Sequence, residues 1–406
     1  MEKKKWDLFA LASIPLAMTL GNSMFIPVLP VIEKEIGISA FQSSLIITVY
    51  SIIAILLIPI AGYLSDRIGR KKVIIPSLII SAIGGIVSTW AAWRGEDPFM
   101  LILVGRFLQG AGAAGAFPVV IPTVGDMFKD EKEMSHSLGI IETSNTFGKV
   151  LSPIFGAVLA AWIWYLPFAS VPVLSVISLL LILKFVKVPK DNEESKKKSI
   201  RDFIDEMKET FHHNGRWLTA VFIIGCLNMF ILFSFLFHLS SLLEDDYDIT
   251  GVVKGVVLAV PLLFLCISSY ICGKKIGGKK TVMRSVILIS NGGGAAALAF
   301  INKDLGLFLM ILLLTITSIG IGLSLPCLDT LITAGIAKEE RGTITSFYSS
   351  MRFLGVAAGP PVTALLLENN FNHIYLIFAA LSMIAALLAF WAIKPEKKVE
   401  EVLAQS

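Results

Sequence analysis

Five ionisable side chains stand inside stretches that are otherwise apolar: Arg106, Glu142, Lys149, Asp329 and Arg352. A charge at the centre of a bilayer costs at least about 2.5–3.5 kcal/mol, so a chain that keeps one there has a use for it. A carboxylate takes up a proton where burial favours its neutral form and gives it back when a cation approaches. Glu142 and Asp329 are the only acids in such stretches, which makes them the candidates for carrying a proton. Lys149 and Arg352 can hold a carboxylate, catecholate or phosphate, the arginine through a two-pronged donor fork. Glu142, Asn145, Lys149 and Ser152 recur at a spacing that puts them on one helix face. Asn22, Ser349 and His238 are further polar candidates, and Met24, Phe25, Phe230, Phe233 and Phe235 could supply an apolar wall. Three in-span cations against two acids point to an anionic or amphiphilic ligand.

These residues need helices to carry them through a membrane. Of 406 residues, 55% are hydrophobic and only 16% charged, and the mean hydropathy is +0.77. A soluble chain is about a quarter charged, so a soluble enzyme, a disulfide scaffold and a disordered chain are all excluded. Apolar stretches long enough to span run over 8–32, 42–64, 73–93, 99–125, 136–162, 166–187, 217–242, 251–272, 282–301, 305–335, 343–367 and 374–393. Of 35 Lys and Arg, 28 fall on the side of the two termini, four opposite (Lys34, Arg94, Lys254, Lys303) and three inside spans. Positive charge stays inside, so both termini are expected in the cytoplasm. All seven tryptophans fall near span ends, where interfacial belts favour them. The basic, apolar N-terminus reads as a first span rather than a cleaved leader. Cys226, Cys266, Cys272 and Cys327 lack metal-ligand spacing and read as packed thiols. No metal site, P-loop or catalytic set stands out, so no enzyme, cofactor or nucleic-acid partner is expected.

The chain divides into a first six-span unit (1–188), a polar linker (189–215), a second six-span unit (216–394) and a tail (395–406). In the linker Ile200, Phe203, Ile204, Met207 and Phe211 share a helical face, which predicts a short amphipathic helix on the membrane surface. The units repeat one another. Gly148–Pro153 (GKVLSP) matches Gly355–Pro360 (GVAAGP) at an offset of 207, so Arg352 is the mate of Asn145. Asp66–Lys72 matches Lys274–Lys280, and Pro118 matches Pro326, both at an offset of 208. Transporters built from such repeats bind at the midplane between them. Gly148, Pro153, Gly355 and Pro360 are expected to serve helix packing and bending.

Gly62, Asp66, Arg67, Gly69 and Arg70 form an ordered G-x-x-x-D-R-x-G-R-K-K pattern, read as the loop between spans 2 and 3. It resembles the signature motif of the major facilitator superfamily. Gly21–Pro30 resembles that family's first-helix pattern, Arg106–Ala114 its fourth-helix pattern, and Gly148–Gly156 its fifth-helix antiporter motif. Two departures stand out: Ser152 and Ala157 replace usual glycines, and Lys274 replaces the acid in the second-half loop.

The resemblance implies an all-α membrane protein of twelve helices in two pseudo-symmetric bundles, in the drug:proton antiporter branch. It implies a latch at Asp66, with Gly62, Arg67, Gly69 and Arg70 around it, that pairs across to the eleventh helix. It carries Arg106 over into proton coupling, whereas the position of Arg106 on its span equally suits helix bracing. The expected function is proton-driven export of small amphiphilic molecules, first of all multidrug efflux, by a monomer in a bacterial plasma membrane. A dedicated exporter of an anionic metabolite such as a catecholate siderophore is the alternative, and a lipid flippase or transporter-like sensor the third reading. No cofactor beyond the proton gradient is expected.

Overall fold

The fold follows from how each span breaks and what it packs on. The computed structural model describes residues 4–94, 97–127, 131–186, 200–276, 280–302, 305–336, 341–368 and 373–393. Within its helices the side chains of Asp66 and of residues 131–136, 138, 200–214, 333–334 and 341–343 lie outside the description. The first part of the linker and the tail (395–406) also lie outside it.

The first span is α1 (Lys5–Ser23), a single 3-10 turn over Ile26–Val28, then α2 (Leu29–Ile36). Pro27 and Pro30 lack the N–H that an unbroken helix would use there. Gly37, at φ 66°, stops α2, and a capping box between Ser39 and Gln42 starts α3 (Ala40–Ile68). The helices α4 (Arg70–Arg94), α5 (Phe99–Met127), α6 (Glu131–Trp162) and α7 (Leu166–Phe185) complete the first half. The second half comprises α8 (Ile200–Asp245), α9 (Gly251–Lys275), α10 (Lys280–Ala299), α11 (Leu307–Gly335), α12 (Arg341–Glu368) and α13 (Ile374–Ala392).

The packing repeats between the halves. In the first, α3 packs on α5, α4 on α5 and α7, and α1 on α6 and α7. In the second, α9 packs on α11, α10 on α11 and α13, and α8 on α12 and α13. The halves meet where α3 lies against α12 and α6 against α9, again a symmetric pair. On α3 the residues Ile52, Leu56, Ile60, Leu64 and Ile68, four apart, are all exposed. An apolar stripe of that length suits lipid rather than water. Trp6, Trp90, Trp93, Trp162 and Trp391 are likewise exposed near helix ends.

Among the described residues, eleven segments have the length and hydropathy to cross a membrane. The helix α6 is long enough at 32 residues but is not one of them. It is the helix that carries Glu142, Asn145 and Lys149, and their polarity is what separates it from its neighbours.

Two expectations change here. The motif between spans 2 and 3 is not a loop: α3 runs on through Gly62, Asp66 and Arg67 to Ile68, and α4 begins at Arg70. Only Gly69, at φ 101°, breaks the helix, and that backbone favours glycine. At Gly62 a Cβ would make only an ordinary contact, 3.6 Å from the Ser346 hydroxyl of α12, so neither a turn nor close packing requires glycine there. The linker helix is also not a separate surface element, since α8 runs without interruption from Ile200 to Asp245.

Candidate substrate cavity and charge sites

Between the halves lies a cavity of about 640 Å³, counting the part open to solvent. Met18, Thr19, Asn22 and Ser23 come from α1, Tyr50 from α3, Phe117 from α5, and Asn145 and Lys149 from α6. Met229 and Phe233 of α8 face them, with Ser349, Arg352, Phe353 and Val356 of α12. All four expected substrate-binding residues, Lys149, Arg352, Asn145 and Asn22, therefore line one space. The repeat explains the pairing of Asn145 with Arg352, because α6 and α12 are symmetry mates.

The apolar wall differs from expectation. Met24 and Phe25 are fully buried in the core, Phe25 against Phe168. Phe230 packs on Phe378, and Phe235 is buried as well. Of the five expected residues only Phe233 faces the cavity, joined by Met18, Phe117, Met229 and Phe353. A helix face with large apolar residues can meet a neighbour or a void, and periodicity does not separate the two.

The four central charges are unevenly partnered. Arg352 Nη1 stands 3.9 Å from Asp329 Oδ1, a long ion pair, and its guanidinium lies over the Tyr348 ring at 5.6 Å. Glu142 Oε1 accepts a hydrogen bond from Asn145 Nδ2 at 3.2 Å, and Asn145 Oδ1 accepts one from Thr19 Oγ1 at 2.6 Å. Lys149 is buried, and among the described residues its ammonium makes neither a hydrogen bond nor an ion pair. The charges of Arg352, Glu142 and Asp329 still act on it at longer range, although neither acid lines the cavity. A buried ammonium without a direct partner is costly and is satisfied when an anion enters.

Arg106 is not in the cavity. It is wholly buried within the first half and donates to Ile46 O (2.7 Å), Gly21 O (3.0 Å), Gln109 Oε1 (2.6 Å) and Asn22 Oδ1 (2.5 Å). Its guanidinium sits between the Phe25 and Tyr50 rings, 4.7 Å from each centroid. Every acceptor is a backbone carbonyl or a side-chain amide, so the geometry is that of a brace across α1, α3 and α5. With Arg106 withdrawn, the central charges count two cations and two acids rather than three against two. Asn22 reaches the cavity wall, but its carbonyl is already engaged by Arg106. His238 is engaged too, with Nδ1 2.7 Å from the Tyr375 hydroxyl. Ser152 donates to Gly148 O at 2.6 Å inside α6 and does not line the cavity.

The motif at the end of α3 shows a different network. Arg70 Nε donates to Asp126 Oδ2 of α5 at 2.9 Å, and its Nη1 to Ser65 Oγ at 2.7 Å. Arg67 is exposed. The Asp66 side chain, on which the latch expectation rests, lies outside the described side chains. The four helix-packing candidates sit within α6 and α12. Gly355 is required for packing, because a Cβ there would collide with the Cys226 carbonyl of α8. At Gly148 a Cβ would come within 3.2 Å of Thr19 Cβ, and the carbonyl of Pro153 lies against Gly255 of α9. Pro360 lies buried inside α12.

At the end opposite the termini stands a cluster that sequence reasoning missed. Glu244 Oε2 accepts from Lys254 Nζ at 2.5 Å, and its Oε1 from Lys34 Nζ at 2.7 Å. Lys254 counts with the charges opposite the termini, at the edge of span 251–272, yet it is among the largest fully buried side chains. Lys34 comes from the first half and Glu244 from the second, so this ion pair ties the halves together. Ser240 Oγ donates to Ile26 O at 3.0 Å, and Phe41 N to Glu368 Oε1 at 3.4 Å, at the same end.

The family model of the Major Facilitator Superfamily matches residues 11–302 and 275–405. This chain belongs to the major facilitator superfamily. It is 50% identical over 398 residues to the bacillibactin exporter of Bacillus subtilis (strain 168), covering 97% of this chain and 98% of that one. It is 23% identical over 364 residues to the class E tetracycline resistance protein of Escherichia coli, covering 86% and 84%. Among solved structures, a bacterial homologue of the human lysosomal transporter Spinster superposes with a TM-score of 0.74 at 15% identity, covering 97% of both chains. A human organic anion transporter superposes with a TM-score of 0.72 at 17% identity, covering 95% and 99%. At those identities the structures establish the fold alone. The chain is thus a multi-pass membrane transporter, and the superfamily resemblance read from its motifs is borne out.

Proposed function

We propose that this transporter exports an anionic catecholate siderophore of the bacillibactin type, driven by protons entering in the opposite direction. The observation that carries the reading is Lys149, buried beside Arg352 in the central cavity and without a direct partner among the described residues. Half-identity along the whole length with a bacillibactin exporter supports it. Multidrug efflux, placed first on motifs, now rests on relatives at 23–24% identity and takes second place.

In this reading a catecholate enters from the cytoplasm and satisfies Lys149 and Arg352, while Met18, Phe117, Met229, Phe233 and Phe353 hold its aromatic faces. Glu142 is the preferred proton carrier, and Asp329 the second, held near Arg352. Each proton entering down the membrane potential supplies about 2.3 kcal/mol per 100 mV. The contacts of Lys34, Ser240 and Phe41 close the outer end here, and they must part for release. Asp66 keeps its latch role by family likeness, and Arg106 serves as the brace on which α1 and α3 hold their cavity residues. The chain works as a monomer in a bacterial plasma membrane with both termini cytoplasmic.

The test is efflux from a strain lacking the gene, complemented or not, with and without a protonophore. Catecholate secretion should return with the gene and collapse with the protonophore. Restored efflux of cationic dyes without catecholate would reject the anion reading.

A further inference from the structure

We propose that Thr48 and Ser240 are gating residues of the transport cycle: each holds the end opposite the termini shut by satisfying a carbonyl of the other half that a proline has deprived of its helical donor. The inference does not depend on which substrate or coupling ion is carried.

In a helix the carbonyl of residue i accepts from the N–H of residue i+4, and a proline at i+4 has none. Three side-chain hydroxyls reach from one half to a backbone carbonyl of the other. Thr48 Oγ1 of α3 donates to Ala357 O of α12 at 2.7 Å, and Ser240 Oγ of α8 to Ile26 O of the first span at 3.0 Å. Ser350 Oγ of α12 donates to Ile55 O of α3 at 3.4 Å. Four residues on from these carbonyls stand Pro361, Pro30 and Pro59. The first two carbonyls also lack a donor at i+3. Residue 360 is a second proline, and the N–H of Leu29 is already given to Phe25 O. Thr48 and Ser240 therefore meet acceptors that the other half's own helices cannot satisfy. Thr48, Ser240, Ile26 and Ala357 are all buried. Thr48 lies eight residues inside α3, whose first residue, Ala40, is at the end away from the termini.

A carbonyl left bare inside a membrane protein is costly, whereas one reached by water is not. The prolines thus make the satisfaction of α12 and of the first span depend on where the opposite half stands. With the halves together, both carbonyls are served across the interface. As the halves part, both hydroxyls withdraw and the carbonyls need water to follow. The two bonds favour the closed arrangement, and their loss is part of the cost of opening. The Ser350 bond lies deeper and is long, so it contributes least.

The repeat supplies an internal comparison. The crossing of α6 on α9 is the symmetry mate of α12 on α3. At the offset of 207, Ile154 stands where α12 has Pro361. At offsets of 207 and 208, Gly255 and Val256 stand where α3 has Thr48. Where the proline is missing, the hydroxyl is missing too. That crossing closes by direct contact instead, since a Cβ on Gly255 would fall 2.5 Å from Pro153 O.

The experiment uses the full-length protein in nanodiscs with a cysteine in place of Leu258. That residue is buried in the seam between the halves, with Ser23 and Ile26 of the first span and Leu232 and Leu236 of α8. Labelling by a water-soluble maleimide is read at its own peptide by mass spectrometry, which separates it from the native cysteines. Thr48→Val strands the Ala357 carbonyl in the closed arrangement and should speed labelling about tenfold. Thr48→Ser keeps the hydroxyl and should leave the rate as it is. Pro361→Ala gives the carbonyl an N–H of its own helix and should remove most of the Thr48→Val effect, which a mere packing defect at Thr48 would not allow. Ser240→Ala with Pro30→Ala makes the same test at the other contact and decides the matter if Thr48→Val does not fold. Unchanged labelling in Thr48→Val, an equal rise in Thr48→Ser, or a Thr48→Val effect undiminished beside Pro361→Ala overturns the gate.

Discussion

Two polar clusters in this transporter use the same residue types in opposite ways. At the end away from the termini, Glu244 holds Lys254 and Lys34 at 2.5 and 2.7 Å. At the central cavity, Arg352 of the lining stands 3.9 Å from Asp329, which lies outside the lining, and Lys149 has no direct partner among the described residues. The first cluster is complete without a ligand, and the second is not. Charge that is satisfied internally stabilises one arrangement of the helices, whereas charge left wanting selects what enters. The difference lies in placement: Lys254 and Glu244 face each other across the short connection between α8 and α9, while Lys149 faces open space between the halves.

The sharpest way to break this comparison is Glu244→Gln. Removing one partner of a buried pair costs about 3–5 kcal/mol, so thermal unfolding in detergent should fall clearly. A cysteine in place of Ile26 should also become more reactive to impermeant thiol reagents. An unchanged melting point would mean that the cluster does not hold the end shut. Lys149→Met is expected to do the reverse, with melting held or raised and catecholate efflux reduced at least about tenfold, the scale of one charge-assisted bond. Full efflux by that variant would remove Lys149 from the binding account.

Asp329→Asn sharpens the contrast at smaller cost. The ion pair with Arg352 is long at 3.9 Å, so its own share of the loss is expected to be about 1 kcal/mol or less, read by the same melting assay on Asp329→Asn with Arg352 present and replaced. Lys34→Met should have the smallest effect. Its side chain is 63% exposed, so the loss should stay below about 1 kcal/mol and shrink further at high salt. A larger or salt-independent loss would show that Lys34 and Lys254 share the load equally.

Much of the architecture was legible because bilayer physics writes it into composition. Spans, repeat and the in-span charges follow from hydropathy, the offset of 207–208 and the cost of burial. Lys254 escaped because it lies in the first turn of α9, and a count of charges by membrane side does not tell a buried residue at a span edge from an exposed one. Arginine 106 was ambiguous for a different reason. Its partners Ile46 O and Gly21 O are backbone groups, which carry no residue signature. The Thr19–Asn145 bond was invisible because a threonine within an apolar span is ordinary until its neighbour across the interface is known. The helical run through Gly62 and Asp66 was misread as a loop because charged residues at a membrane surface look alike in either conformation.

The uninterrupted α8 has a mechanical consequence. Its apolar stretch begins at Trp217 in the sequence, yet the helix starts at Ile200, so residues 200–216 extend from the span as one rod. At about 1.5 Å per residue that is an arm of roughly 25 Å. A tilt of the second half is amplified along such an arm, so a fluorophore or spin label near Ile200 would act as the pointer of a gauge. Angular changes too small to see between packed helices would be read there as displacement.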